Sequence, residues 1–129
     1  MDAFELSFPP APSAVTRARN EITERFASSL AVRVLEDVRL LVTELITNAL
    51  RHGQLVTGDR VSLKAMVIDD LVRIEVRDPG HDGDVVLRKP GVRGGGYGLY
   101  LVELLAKRWG VERNGGTTVW CELPSGVGR

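Results

Sequence analysis

The sequence predicts one mixed α/β domain in which helices pack against antiparallel β-hairpins. Three observations lead to this fold class. Apolar residues recur every three or four positions over residues 33–52, which is the period of a helix with one buried face. Residues 60–77 are rich in Val, Ile and Leu and are interrupted only by two central aspartates, as in a hairpin. Asn114-Gly115 separates two further extended segments, and this dipeptide is a strong hairpin signal.

The N-terminal half is expected to form a strand followed by two helices. Residues 4–8 alternate between apolar and polar types, which predicts a short strand stopped by the prolines that follow. A first helix should occupy residues 13–28 with Ser13 as its N-cap. The second helix, residues 33–52, should end at Gly53 as a C-cap. The apolar stripe of this second helix comprises Val38, Leu41, Val42, Leu45 and Ala49.

The C-terminal half is expected to contain two hairpins with a loop and a helix between them. The predicted elements are strands at 60–68 and 71–77, an irregular loop at 81–96, a helix at 97–108, strands at 110–113 and 117–123, and a frayed tail over 125–129. The helix should bury one face, made by Leu99, Val102, Leu105 and Ala106. A loop as long as the predicted one usually serves a function, which draws attention to the residues beside it.

Composition limits the classes of function. The chain has 129 residues, the size of one ordinary domain, and its 17 basic residues balance 17 acidic ones. That balance gives no electrostatic argument for nucleic-acid binding. The single Cys121 cannot form an internal disulfide, and it is expected to pack inertly within the fold. No signal peptide or membrane span is recognisable, so a cytoplasmic protein without membrane contact is expected.

Glu44 and Asn48 form the first candidate for site chemistry. They are four residues apart on the second predicted helix and project together just beside its apolar stripe. A partly desolvated carboxylate there can act as a base, and the Asn carbonyl oxygen suits a hard cation such as magnesium. The alternative is an ordinary polar pair on a solvated helix rim, where Asp37 or Arg51 neutralises Glu44.

Asp78-Pro79-Gly80 is the second candidate. Asp78 ends a strand that should be central, and its ionised carboxylate can only accept hydrogen bonds. It can therefore accept from the exocyclic amino group of adenine, whereas guanine presents an acceptor at that position. The same tripeptide is also a common turn, and Gly80 suits either a left-handed turn position or the close approach of a ligand.

The glycine-rich segment before the third helix is the last candidate. It comprises Gly94, Gly95, Gly96, Tyr97, Gly98 and Leu99. Unobstructed N–H groups at the start of a helix bind phosphate readily, although such a run can also be a mobile linker. A dinucleotide-binding fingerprint would need a preceding first βαβ strand and an acidic residue about 20 positions later, and the chain lacks this arrangement.

Taken in order, these motifs resemble the GHKL superfamily of ATP-binding domains, and more narrowly the small bacterial anti-sigma factor serine kinases. The resemblance covers nearly the whole chain, from Ala18-Arg19 through the Glu44–Asn48 block to Thr118-Val119-Trp120. It implies the Bergerat fold, a two-layer α/β sandwich with a mixed, mostly antiparallel sheet covered by helices on one face. The whole chain, residues 1–129, would be a single histidine-kinase-like ATPase domain.

The resemblance also implies a role for each motif residue. Glu44 matches the general base and Asn48 the magnesium ligand, while Asp78 and Gly80 match the adenine-binding motif. Gly96 and Gly98 match the second glycine motif, where the ATP lid, residues 81–95, joins the following helix. Thr118 matches a strand residue near the base. Asp82 stands where larger relatives have a second glycine.

The implied function is an ATP- and magnesium-dependent protein serine kinase that holds a sigma factor inactive. An unphosphorylated anti-anti-sigma protein would displace the sigma factor and would itself be the phosphorylated substrate. A non-catalytic ATP-binding module that sequesters a regulator is the main alternative, and a simple ATPase that uses water is another. Members of this family often form homodimers, but the sequence shows no apolar stripe that identifies such a contact.

Overall fold

The computed structural model describes residues 2–80 and 97–127. These residues form five strands and three helices, in the order β1 (Asp2–Phe8), α1 (Ser13–Phe26), α2 (Val32–His52), β2 (Val61–Ile68), β3 (Leu71–Asp78), α3 (Tyr97–Leu105), β4 (Arg108–Arg113) and β5 (Thr117–Pro124). Within these residues, no helix has both the length and the apolar character that a membrane span requires.

The strands form one sheet in the order β1-β2-β3-β5-β4, and each described pair is antiparallel. This arrangement confirms the predicted sheet and makes β3 its central strand. Alternate residues of the strands are buried on one face, where they meet the apolar faces of α1 and α2. The opposite face carries polar side chains such as Lys64 and Arg77. The molecule is therefore a two-layer sandwich with its helices on one side.

The long helix α2 carries the predicted apolar stripe into the core. Each of its five expected stripe residues is at most 4% exposed, as is Ile46. The helix packs against α1, α3 and β3. It ends at Gly53, whose N–H donates to the Ala49 carbonyl over 2.9 Å, so the predicted C-cap is confirmed. Gly53 has φ −77°, so it is not the left-handed glycine that commonly follows a helix.

Two predicted helix boundaries are wrong. Ser13 is the first helical residue of α1 and not its N-cap, because Pro12 occupies that position and no side chain caps the helix. The third helix ends at Leu105, three residues before the predicted end. There the backbone N–H of Lys107 donates to the Glu122 carbonyl over 2.8 Å, so the chain leaves the helix to pair with β5.

Ser125, the first residue of the expected frayed tail, is held firmly by the fold. Ser125 is 1% exposed, and its backbone is bonded on both sides. Its N–H donates to the Asp70 carbonyl over 2.7 Å, and its carbonyl accepts from the Ala31 N–H over 3.0 Å. These bonds fasten the chain after β5 to both the β2–β3 turn and the start of α2.

Candidate functional site

Asp78 is the last residue of the central strand, as the sequence predicted. Its side chain lies on the same face of the sheet as Val76 and Ile74, so it points toward the helical layer. The residue is 8% exposed, and its Oδ1 atom is fully enclosed. A carboxylate in this position is costly to bury, which is typical of a side chain that is retained for function.

Three glycines from separate segments surround Asp78 and form what we call the glycine cradle: Gly53, Gly80 and Gly116. A Cβ atom on Gly53 would lie 3.2 Å from the Asp78 carboxyl carbon, and one on Gly80 would lie 3.3 Å from its Oδ1. A Cβ atom on Gly116 would come within 2.5 Å of the Asp78 carbonyl oxygen. Any larger residue at these positions would therefore press on Asp78 or its backbone.

Gly80 has the left-handed conformation that was expected of a turn residue at this position. Its φ is +62°, a conformation that L side chains rarely adopt. A Cβ atom there would also lie 2.8 Å from the Thr117 hydroxyl oxygen. The Asp78-Pro79-Gly80 turn thus brings the chain directly over Asp78 and Thr117, and it leaves no room for a side chain.

Thr117, and not the expected Thr118, shares the face of the sheet on which Asp78 lies. Thr117 lies opposite Asp78 in the β3–β5 pair, and residues directly opposite share a face of the sheet. Thr118 points to the other face, where its hydroxyl accepts a hydrogen bond from Arg77 over 3.1 Å. Thr118 therefore lies on the face opposite to Asp78, because neighbouring strand residues alternate between faces.

Glu44 and Asn48 lie one turn apart on α2, and both are partly buried at the edge of the core. This is the position that the helical projection predicted. Neither side chain has a hydrogen-bond or ion-pair partner among residues 2–80 and 97–127. Within that part of the chain, Arg51 therefore forms no ion pair with Glu44. Both polar groups are left available to a ligand.

The order of these residues along α2 suits an elongated ligand. Gly53, which contacts Asp78, ends the helix, and Asn48 lies about 7 Å before it at the helical rise. Glu44 lies about 6 Å further back along the same axis. A nucleotide with its base at Asp78 and its phosphates along α2 would pass Asn48 before it reached Glu44.

The glycine-rich candidates are only partly placed. Gly94, Gly95 and Gly96, and with them the predicted lid at 81–95, lie outside the described residues. Tyr97 and Gly98 form the start of α3. Leu99 is 1% exposed and packs in the hydrophobic core. This packing explains why an apolar residue ends the glycine-rich segment.

Among the described residues, no three His, Cys, Asp or Glu side chains gather as metal ligands. Magnesium commonly takes only one or two protein ligands and completes its coordination with phosphate oxygens and water. Gly53, Gly80 and Gly116 let three separate segments pack closely against Asp78, because a Cβ atom at each position would crowd Asp78 or its backbone.

The sequence does not indicate that Gly53 and Gly116 lie against Asp78, because both approach it only in the folded chain. The adjacent Thr117-Thr118 pair was a usable signal, but choosing between them requires the register of β5 against β3.

The amino-acid sequence is similar to one family over most of its length. The profile of the family described as Histidine kinase-like ATPase domain matches residues 8–122. The chain is 25% identical over 118 residues to the Serine-protein kinase RsbW of Listeria monocytogenes, covering 81% of this chain and 75% of that protein. It is 25% identical over 133 residues to the protein of the same name from Staphylococcus epidermidis, covering 92% and 84%.

A solved structure has a similar fold. The histidine kinase domain of a blue-light activated histidine kinase from Erythrobacter litoralis matches with a TM-score of 0.58. The match covers 97% of this chain and 69% of that chain at 22% sequence identity, so it bears on the fold alone.

Proposed function

The chain belongs to the histidine kinase-like ATPase domain family, and on that premise we propose that it is an ATP-dependent protein serine kinase and anti-sigma factor. The observation that carries the proposal is the buried Asp78 in its glycine cradle, beside a helix whose Glu44 and Asn48 have no partner among the described residues. The similarity to proteins named Serine-protein kinase RsbW supports the kinase part.

Asp78 would bind the adenine of ATP. Its carboxylate accepts the hydrogen bond that the exocyclic amino group donates, and the Thr117 hydroxyl beside it offers a second polar group to the base. The glycine cradle lets the base lie against backbone, and burial strengthens each hydrogen bond made there. Guanine would place its carbonyl oxygen against the carboxylate, so the site would reject GTP.

Glu44 and Asn48 would serve the phosphate end. The substrate serine oxygen attacks the γ-phosphorus, a new phosphorus–oxygen bond forms, and the bond between the γ-phosphorus and the bridging oxygen breaks to release ADP. Glu44 would accept the serine proton as this happens. Asn48 would hold magnesium through its carbonyl oxygen, and the cation would supply positive charge against the phosphates. The described structure leaves both side chains free to act in this way.

The partners follow from the resemblance to anti-sigma factor kinases. One partner would be a sigma factor, which the chain holds inactive. The other would be an anti-anti-sigma protein, whose unphosphorylated form displaces the sigma factor and whose serine receives the phosphate. The proposal places this partner exchange in the cytoplasm, between proteins and without direct contact to nucleic acid.

A labelling experiment tests the proposal. The chain is incubated with γ-labelled ATP, magnesium and candidate anti-anti-sigma proteins from the same genome, and a parallel pull-down tests capture of sigma factors. We expect label on a serine of one candidate and capture of one sigma factor. Capture without any label transfer would contradict the kinase and would favour the non-catalytic module.

A further inference from the structure

Arg77 joins the end of β3 to the hairpin between β4 and β5. Its Nη1 donates to the Thr118 hydroxyl over 3.1 Å, and its Nη2 donates to the Asn114 carbonyl over 3.0 Å. One guanidinium thus holds two points of the hairpin, one on strand β5 and one in the turn before it. Hydrogen bonds from a charged donor are stronger than neutral ones, so this bridge restrains the turn.

The residues held by this bridge lie directly beside the base end of the candidate site. Gly116 and Thr117 sit between the two acceptors of Arg77, and both approach Asp78. Gly116 is packed so closely that a Cβ atom on it would lie 2.5 Å from the Asp78 carbonyl oxygen and 3.1 Å from Nη2 of Arg77. A shift of the turn would therefore move Thr117 relative to Asp78.

Arg77 itself cannot reach a base bound at Asp78. The two residues are consecutive in β3, so their side chains lie on opposite faces of the sheet. Arg77 shares its face with Thr118, while Asp78 shares the helical face with Thr117. The two side-chain hydrogen bonds of Arg77 therefore link it to the base end of the site through the hairpin and not through direct contact with the base.

From this arrangement we propose that Arg77 is a positioning residue that fixes Thr117 and Gly116 against Asp78 and so shapes the adenine pocket from the opposite face of the sheet. This role rests on the proposed function, because it assumes that the pocket binds adenine. It adds a residue that touches neither the nucleotide nor the reacting atoms.

The affinities of ADP and ATP for Arg77→Ala test the role. Removing two hydrogen bonds should raise the Kd of both nucleotides about 3- to 10-fold. The Kd should rise by the same factor for ADP and ATP, because the substitution disturbs the adenine end of the site and both nucleotides carry adenine. Arg77→Lys should recover part of the affinity, since an ammonium can still donate to one of the two acceptors.

Arg73→Ala is the matched control. Arg73 lies on the same strand and the same face, and it also donates to two partners, Glu75 over 2.8 Å and Glu122 over 2.7 Å. It lies four residues from Arg77, about 13 Å along the strand. Arg73→Ala should lower the free energy of unfolding but leave both nucleotide affinities unchanged.

Amide hydrogen exchange in the nucleotide-free protein gives a readout that is independent of binding. The amides of Gly116 and Thr117 should exchange faster in Arg77→Ala than in Arg73→Ala. If Arg77→Ala and Arg73→Ala show equal amide exchange and equal nucleotide affinities, the positioning role of Arg77 is wrong. A loss that is larger for ATP than for ADP and shrinks with added salt would also overturn it, because it would mean that Arg77 acts on the phosphates through its charge.

The same titrations separate this role from the proposed function. A native chain that binds neither nucleotide contradicts the proposed function. If the native chain binds both nucleotides and Arg77→Ala binds them with the same affinities, only the proposed role of Arg77 is contradicted.

Discussion

Asp78 and Thr117 lie directly opposite each other at the end of the β3–β5 pair, with both side chains on the helical face. Asp78 is 8% exposed and Thr117 is 4% exposed. This pairing puts an acceptor-only carboxylate beside a hydroxyl that can donate or accept, at the end of the central strand. The glycine cradle lets the neighbouring backbone pack tightly around this pair.

Gly80→Ala should lower the affinity for ATP as well as the free energy of unfolding. The added methyl group would lie 2.8 Å from the Thr117 hydroxyl oxygen, and φ of +62° would strain it as well. Gly115→Ala is the control, since Gly115 has φ +70° and open space around its Cβ position. Gly115→Ala should lose about 1 kcal/mol of unfolding free energy from backbone strain alone, and Gly80→Ala should lose more because the methyl group also crowds Thr117. Calorimetry should show reduced ATP affinity only for Gly80→Ala, and equal losses in both variants would contradict crowding at the site.

Asn48→Ala should reduce the magnesium-dependent part of nucleotide binding. Asn48 is partly buried and has no hydrogen-bond partner among the described residues, so the fold should tolerate its removal. The comparison is ATP affinity with and without magnesium, in the native chain and in the variant. A native chain that binds ATP equally well in both conditions would remove the proposed role of Asn48.

Glu44→Gln should separate chemistry from binding. Glutamine keeps the size and hydrogen-bonding capacity of the side chain but removes the basic carboxylate. Phosphate transfer to the partner should fall about 10²- to 10⁴-fold, the usual contribution of a general base. ATP and sigma-factor affinities should stay near the native values, and joint loss of binding and transfer would indicate that Glu44 is structural.

Glu122 should make stability depend on pH in the acid range. Its hydrogen bond from Arg108 lowers the pKa of the carboxyl, burial opposes that effect, and Arg73 adds to the lowering. The depressed pKa means that the stabilisation is complete above the unfolded-state value of about 4.3 and is lost as pH falls toward the folded-state value. Urea unfolding at a series of pH values checks this expectation. Glu122→Gln should flatten the curve in that window, and an unchanged slope would contradict it.

The sequence predicted these helices and strands well because the spacing of apolar residues within a single segment identifies each one. The stripe on α2 and the apolar runs of β2 and β3 each show their period within one segment, and the structure has all three elements. The same projection put Glu44 and Asn48 at the edge of the core, where they lie.

The remaining features depend on tertiary contacts that no local pattern reveals. Choosing Thr117 over Thr118 requires the register of two strands that are distant in sequence, and a shift of one residue reverses the face. Gly53 gains its relation to Asp78 only when α2 packs on β3. Ser125 is ordered because Asp70 and Ala31 bind its backbone, although its neighbours in sequence resemble a flexible tail.

Calorimetric titration of ATP and GTP into the native chain and Asp78→Asn tests most directly whether Asp78 forms an adenine site. The native chain should bind ATP in preference to GTP, since the Asp78 carboxylate accepts from the adenine amino group and faces the guanine carbonyl. Asp78→Asn nearly preserves the shape of the side chain but puts an amide in place of the carboxylate, so ATP binding should weaken strongly. Equal native affinity for ATP and GTP, or an Asp78→Asn variant that binds ATP as well as the native chain, would contradict this assignment.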